Sequence, residues 1–437
     1  MFCVNKDTEL TIELLQKMIH KFHIEVVPVL QRYKNYYDGK HDIMSKRYND
    51  ESKPCSRTVI NYPANIANHF CGYIASPEHI SYSSNEDIEP VMETLRYNDY
   101  QTQDSDLLLD ALIHGIAAEL MFFDNAGKTR FRRINPLTCF GVFDDSLTGD
   151  LLYFVRMYRA NEWDNSDLYR VDVYTNYTIR HYEMRGMGGA LTFLNEEYHY
   201  FNQCPATLLM LPDEKSIFDC VMTLVDGMNE LISCEIEEFQ NFADAYLVLN
   251  GVDAEADDIA KMKESRVLLL PPDAVANWLT KNANDTQIEN VMKRIHDSIY
   301  RISQCLDMSS ENFAGGVSSG VAIRYKNCGM ENRAAKIEAA LKKALQRRVE
   351  IISGIAALKL GEAVFRDIKI ECKRNLPDDY AQLITLISAL KGTVSDATLL
   401  GLLPFVQDVN AELEAVKAQK QANMELYSFG KTAEEEE

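Results

Sequence analysis

The sequence predicts an α+β fold, mainly helical, with a β-rich insertion between its helical parts. Three observations predict it. Apolar positions recur every three or four residues before and after the middle of the chain, residues 115–212 break into short turn-bounded alternating runs, and two long helical stretches of opposite charge follow that block. With 437 residues, 46% of them hydrophobic, the chain has apolar material for two to four structural units.

Residues 8–37 carry apolar positions at mixed three and four spacings, and Pro28, which lacks an N–H, divides them into two helical pieces. A turn at Asp38-Gly39 follows. Residues 57–76 (RTVINYPANIANHFCGYIAS) start extended before Pro63 and continue as a helix with Ile66, Phe70, Tyr73 and Ile74 on one side. In the β-rich block, Asn125-Ala126-Gly127 and the stretch from Asp144 to Gly149 supply turn chemistry.

Residues 214–246 keep a three-to-four period through Ile217, Val221, Leu224, Met228, Leu231, Ile232, Ile236 and Phe239. At 1.5 Å per residue such a helix spans roughly 50 Å. A second helix, 286–307, places Ile288, Val291, Ile295, Ile299, Ile302 and Leu306 on one face, with Thr286 and Glu289 in capping-box register. Between them, 247–285 holds a strand at 266–272 and acids at Asp253, Glu255, Asp257 and Asp258, and is too short to fold alone. It reads as a cap joining two helices that run antiparallel. A Gly/Ser-rich loop at 311–322, a long basic helix over about 323–360, a strand at 368–373 and two short helical segments complete the chain, before an acidic tail expected to be disordered.

Composition narrows the function. The N-terminus has neither a basic n-region nor an apolar h-region, and no uncharged apolar run reaches about 18 residues, so a soluble, non-secreted protein is expected. The ten cysteines stand singly with no CxxC pair and read as reduced, mostly buried thiols. His20 and His23 share one amphipathic stretch but lack a Cys or carboxylate at ligand spacing, so no metal site is expected. A formal charge of −21 opposes a general nucleic-acid binder but does not exclude a protein that DNA passes through without sticking; on composition alone the favoured reading is that acidity confers solubility.

No motif carries catalysis. The Gly315-Gly316-Val317-Ser318-Ser319-Gly320 loop resembles a phosphate cradle, but the Walker Lys and Ser/Thr are missing and no strand precedes it; glycine here confers an adaptable backbone. Asp144-Asp145 and Asp378-Asp379 sit beside turn-forming residues without a third carboxylate, which favours turns over Mg²⁺. No nucleophile with a local signature is present, so neither an enzyme nor a cofactor is expected. Charge is more informative. Residues 214–244 hold eight acids (Glu214, Asp219, Asp226, Glu230, Glu235, Glu237, Glu238, Asp244) against Lys215, whereas 324–348 hold eight bases against Glu331 and Glu338.

The phrases YYDGKHDI, INYPANIANHFCGYIAS, LVDGMNELISCEIEEFQNFADAYLVLNG, FAGGVSSGVAIRYK, LPDD and SDATLLGLLPFVQDVNAELEAV, with the β-rich block after the second, are similar in order and content to portal proteins of long-tailed phages. The resemblance covers nearly the whole chain. It implies a ring, typically of twelve subunits, around a channel for double-stranded DNA. It implies a wing at 1–213, stem helices at 214–246 and 286–308, a clip at 247–285 that meets head-completion proteins, and a tunnel loop at 309–322. The long wing helix and strand then occupy 323–374, and the crown and tail 375–437.

On that resemblance, Asn312, Phe313, Gly315, Gly316, Val317, Ser318, Ser319 and Gly320 face DNA. Arg324, Lys326, Arg333 and Lys336 hold phosphate transiently, and Glu230, Glu235, Glu237 and Glu238 line a repelling channel wall. The implied partners are further copies of the chain, the large terminase, a head-completion adaptor, and the major capsid and scaffolding proteins, with no membrane. The implied location is the capsid portal vertex, reached from the host cytoplasm during assembly. The competing readings are another head-tail adaptor or minor capsid protein, and a packaging nuclease or ATPase. Two stretches depart from the resemblance: the short C-terminus, and residues 199–216, where related chains carry a more polar, Asn-rich turn.

Overall fold

The computed structural model describes residues 2–47, 55–77, 79–161, 163, 167–242, 247–250, 275–278, 285–307, 327–360, 367–374 and most positions of 385–420. They fall into two units, one holding nearly everything up to Asn375 and a small one beyond it.

Helices α1 (Ile12–Lys21) and α2 (Val27–Tyr37) are the two pieces expected around Pro28, but the chain does not break between them. A π-helical turn, Phe22–Val26, joins them, and the N–H of Val27 reaches back five residues to the Phe22 carbonyl. Widening the ring just before Pro28 absorbs the missing donor and keeps the helix axis running. Helix α3 (Tyr62–Ile74) starts on Asn61, whose side chain accepts from Ala64 N at 3.1 Å, and buries Ile66, Phe70, Tyr73 and Ile74 as its spacing predicts. Helices α4 (Glu89–Tyr97) and α5 (Tyr100–His114) follow, and α5 ends on Gly115 at φ +83°.

The β-rich block is real and forms two sheets. The six-stranded sheet has the order β1 (Phe2–Val4), β5 (Cys139–Asp144), β6 (Leu151–Arg159), β7 (Leu168–Tyr174), β8 (Thr178–Arg185), β9 (Leu191–Tyr198), antiparallel except for the β1–β5 pair. Its inner face packs Val142, Val155, Met157, Val171, Val173 and Met184 against Leu15, Ile19 and Phe22 of the first helices. The three-stranded sheet is β10 (Ala206–Met210), β3 (Ile116–Phe123), β4 (Thr129–Ile134). The predicted turns appear where expected. Asp124 accepts from Ala126 N and Lys128 N at 2.9 Å ahead of Gly127 at φ +70°, and Asp144 accepts from Ser146 N at 2.7 Å. Asp144 is thus held by turn hydrogen bonds; Asp378 and Asp379 lie outside the described residues.

Three helix boundaries differ from the sequence reading. The acidic helix α6 is Met222–Phe242, starting eight residues after 214, because Ser216 and Ile217 bond back to the Leu112 carbonyl at the end of α5 instead of continuing a helix. Helix α7 is Asp285–Ser303, terminated by Gln304 at φ +55°. The long helix α8 is described from Cys328 to Leu360. Between α6 and α7, β11 (Leu247–Asn250) pairs antiparallel with β12 (Val275–Trp278), two strands the sequence did not suggest; 266–272 and the four acids at 253–258 lie outside the described residues. Strand β13 (Lys369–Cys372), expected at 368–373, pairs antiparallel with β2 (Ile80–Ser83), so the chain after α8 is sewn to the segment after α3.

All ten cysteines are free thiols, but only Cys71, Cys139, Cys204 and Cys305 are buried, which corrects the expectation that most would be. Burial pushes the Cys204 and Cys305 thiols up to about 12. Among the described residues no helix is long and apolar enough to cross a membrane, and no group of His, Cys, Asp or Glu is arranged to hold a metal.

Candidate functional site

The chemistry of this chain concentrates at the root of α6, where the helix leaves the β-rich body. Three α6 side chains spaced four apart accept the backbone N–H groups of alternate residues in the extended segment before α3. Asn229 Oδ1 accepts from Ile60 N at 2.9 Å, Ser233 Oγ from Thr58 N at 3.0 Å, and Glu237 Oε1 from Ser56 N at 2.8 Å. Four helical residues rise about 6.0 Å and two extended residues about 6.6 Å, so the two repeats stay in step over this length. The helix takes the place of a neighbouring strand. Lys46 Nζ closes the outer end, 3.2 Å from Glu237 and 3.0 Å from Glu230.

The other side of the root is clamped by α2. Tyr36 donates to Asp226 and Tyr33 to Asp219, each at 2.7 Å. His41 stacks on the Tyr36 ring at 4.6 Å between centroids, its Nε2 is 3.0 Å from the Tyr36 carbonyl, and its Nδ1 is 2.8 Å from Asn229 Nδ2. Because that carbonyl accepts only, the proton sits on Nε2 and the ring is neutral. Gly39 at φ +76° makes the turn that returns His41 under Tyr36.

Burial lowers the pKa of His41, and likewise of His69, His114 and His199. A folded value below the unfolded one means that stability is level above about pH 6.5 and is lost as pH falls through the folded value. The expected result is that urea midpoints drop between pH 7 and pH 5, with a shallower slope in His41→Gln; equal slopes would remove His41 from this account. Asn229→Ala and Ser233→Ala leave half-buried backbone donors without their acceptors, and each is expected to cost about 1 kcal/mol in urea unfolding, with faster amide exchange at Ile60 and Thr58 respectively.

Helix α7 returns to this root. The Arg333 guanidinium of α8 donates to the Ser303 carbonyl at the end of α7 and to the Ile217 carbonyl just before α6, and lies 5.6 Å from the Phe70 ring centroid. One side chain thus ties the departure of α6 to the return of α7, the relation expected of an antiparallel pair. His296 adds a second tie, with Nδ1 2.9 Å from Tyr62 Oη and Nε2 3.2 Å from Asp307.

Helix α8 is anchored more deeply. Arg348 is fully buried, bidentate to Glu119 of β3 at 2.6 and 2.7 Å, and paired with Asp104 of α5, which also accepts from Tyr82 Oη at 2.8 Å. The guanidinium carbon lies 4.3 Å from the Phe131 ring centroid. Burial raises the pKa of both carboxyls while Arg348 pulls them down. Near its start, α8 is tied to the chain just past β13 by Arg374, which pairs with Glu331 at 2.7 Å and Glu338 at 2.6 Å.

These contacts sort the residues singled out in the sequence. Asn312, Phe313, Gly315, Gly316, Val317, Ser318, Ser319, Gly320, Arg324 and Lys326 lie outside the described residues. Lys336 is exposed on α8, whereas Arg333 is spent on the two carbonyls it bridges. Among the acids, Glu237 is buried against Lys46 and Ser56 in the chain's own interior, and Glu230 leans on the same lysine. Glu235 is exposed and Glu238 half-buried, and at 100° per residue both lie on a different side of α6 from Glu237. The sequence reading missed Asn229, Ser233, Asp104 and Glu119; the four-residue spacing of Asn229, Ser233 and Glu237 was the one visible signal for the first two.

The family model for phage portal proteins of the SPP1 Gp6-like type matches residues 16–426. The chain belongs to this portal family. It is also 19% identical, over 448 aligned residues, to the portal protein of Bacillus phage SPP1, an alignment covering 94% of this chain and 87% of that protein. The portal phrases in its sequence now have physical roles. YYDGKHDI supplies the Tyr36 and His41 clamp, INYPANI supplies Ile60 and the Asn61 cap, and LVDGMNELISCEIE supplies the acceptors on α6. These portal phrases therefore converge on one place, the root of the helix pair.

Proposed function

We propose that copies of this portal chain close into a ring, typically of twelve, whose channel passes double-stranded DNA during packaging and ejection. The observation carrying this reading is the helix pair. Its root is fixed by hydrogen bonds, yet the pair leaves apolar side chains uncovered: farther along, Phe239 is 78% exposed on α6 and Val291 36% exposed on α7, and Ile302 at the returning end of α7 is 48% exposed. A head-to-tail neighbour contact that closes on itself covers such faces in every copy. The acids turned away from the root, Glu235 and Glu238, are the wall residues in this reading, with Lys336, Arg324 and Lys326 as transient phosphate contacts.

Residues 311–320 touch the duplex sterically and without sequence preference, and 247–285 meets the head-completion adaptor. Terminase docking, capsid and scaffold contacts at the vertex, and assembly in the host cytoplasm follow from the same reading. Negative-stain images of the purified chain are expected to show a flanged ring with an axial hole; a monomer or a flat small ring overturns it. Gly315→Pro with Gly316→Pro is expected to stall packaging in an infected cell while rings still assemble, and packaging at the normal rate would reject the loop contact. An ATP-hydrolysis assay on the purified chain is expected to read background.

A further inference from the structure

The two sheets treat their edges differently. The outer edge of β4 is closed by Asn98, whose buried side-chain amide donates to the Thr129 carbonyl at 3.0 Å and accepts from Phe131 N at 3.1 Å. A side chain stands where another strand would pair, a direct protection against edge-to-edge association. At the far edge of the six-stranded sheet, β9 pairs with β8 along Leu191–Tyr198, and among the described residues no backbone group hydrogen-bonds its other side. The strand has eight residues, contains neither Lys nor Pro, and is exposed at every position after Leu191. Its one register shift, beside Leu194, leaves regular pairing on both sides.

This bare edge carries large apolar and aromatic side chains. Phe193, Leu194 and Tyr198 are exposed on the strand, and Tyr177 and Tyr200 are exposed beside its end. His199, between Tyr198 and Tyr200, ties this end to the β7–β8 turn: its N–H bonds the Tyr177 carbonyl at 3.2 Å and its ring nitrogens meet the Thr175 carbonyl and Phe201 N. Tyr200 is held at φ +62° and Asn202 at φ +58°, a conformation a bulky residue rarely adopts. The loop spends backbone strain while Tyr200 stays exposed to water. Strain retained at an exposed tyrosine, beside two more, is a mark of a binding surface.

The charge along the edge selects the occupant. Glu196 and Glu197 are its charged residues; Glu196 is engaged by Arg180 and Thr178 of β8, and Glu197, 3.4 Å from His181, stays more than half exposed. Glu197 is therefore the carboxylate this edge presents to a pairing strand, and it favours a basic side chain opposite it. We infer that the outer edge of β9, with Tyr177, Tyr198 and Tyr200 at its end, is a strand-addition site for an extended segment of another protein that alternates apolar and basic residues. Backbone pairing supplies the affinity, the tyrosines and Phe193 the apolar contact, and Glu197 the preference for basic side chains.

The test uses the full-length purified protein and two synthetic peptides of equal length, one alternating Lys and Val, the other Glu and Val. The Lys-Val peptide is expected to bind and to slow amide exchange within 191–198, and the Glu-Val peptide not to bind. Tyr198→Ala with Tyr200→Ala, both exposed positions, is expected to weaken Lys-Val binding by about tenfold or more with an unchanged circular dichroism spectrum. Binding without protection of 191–198, or equal binding of both peptides, overturns the inference. So does a change of oligomeric state in Phe193→Lys by light scattering, which assigns the edge to a second copy. The peptide-binding and amide-exchange readouts do not depend on whether the chain forms a ring.

Discussion

Replacing Arg348 by Met is expected to destabilise the protein by about 3–5 kcal/mol, the cost of leaving buried carboxylates without their counter-charge. Arg348, Asp104 and Glu119 are each fully buried, so water cannot take over the pairing. The pH dependence of the loss separates this cause from lost packing. Without Arg348, burial is the dominant influence on the two acids, with the Asp104 charge adding to it at Glu119 and only the Tyr82 hydroxyl opposing it at Asp104, and their folded pKa stays above the unfolded one. Stability linked to such a group is present below the unfolded value and lost as pH rises through the folded value. The Arg348→Met deficit in urea midpoint should therefore be larger at pH 8 than at pH 5, and adding Asp104→Asn with Glu119→Gln should restore part of it. A deficit independent of pH would place the effect in packing against Phe131.

The same cluster shows what the sequence could and could not display. The 324–348 run was legible as a basic helix because local charge density and period are local properties. That Arg348 and Arg333 face inward was not legible, since their partners lie far along the chain: Glu119 and Asp104 are 229 and 244 residues from Arg348, and Ile217 is 116 residues from Arg333. Helix α3 was read correctly because its buried face and its cap are both written within one stretch. The start of α6 was misplaced because Ile217 keeps the apolar period of a helix while a distant carbonyl, Leu112, claims its N–H and the Ser216 hydroxyl. Glu237 illustrates the same limit. Counted in a run of eight acids it resembles wall charge, yet its carboxylate is consumed by Ser56 N and Lys46.

That distinction sets the second large expectation. If Glu235 and Glu238 keep the channel wall repulsive, Glu235→Lys with Glu238→Lys replaces repulsion by phosphate contacts in every subunit. Purified rings carrying the pair are expected to retain double-stranded DNA at low salt at least about tenfold more strongly than the unaltered protein, and to release it as ionic strength rises, because each new contact adds counterion release. Packaging should slow in step with that retention. Glu237→Gln is the internal control. Its amide oxygen still accepts from Ser56 N, the ion pair with Lys46 is lost, and stability is expected to fall without any gain in DNA retention. Were Glu237→Gln to raise DNA retention while the lysine pair did not, the wall would lie on the face of α6 that this structure packs against residues 56–60, and the root of the helix pair would have to open when the ring forms.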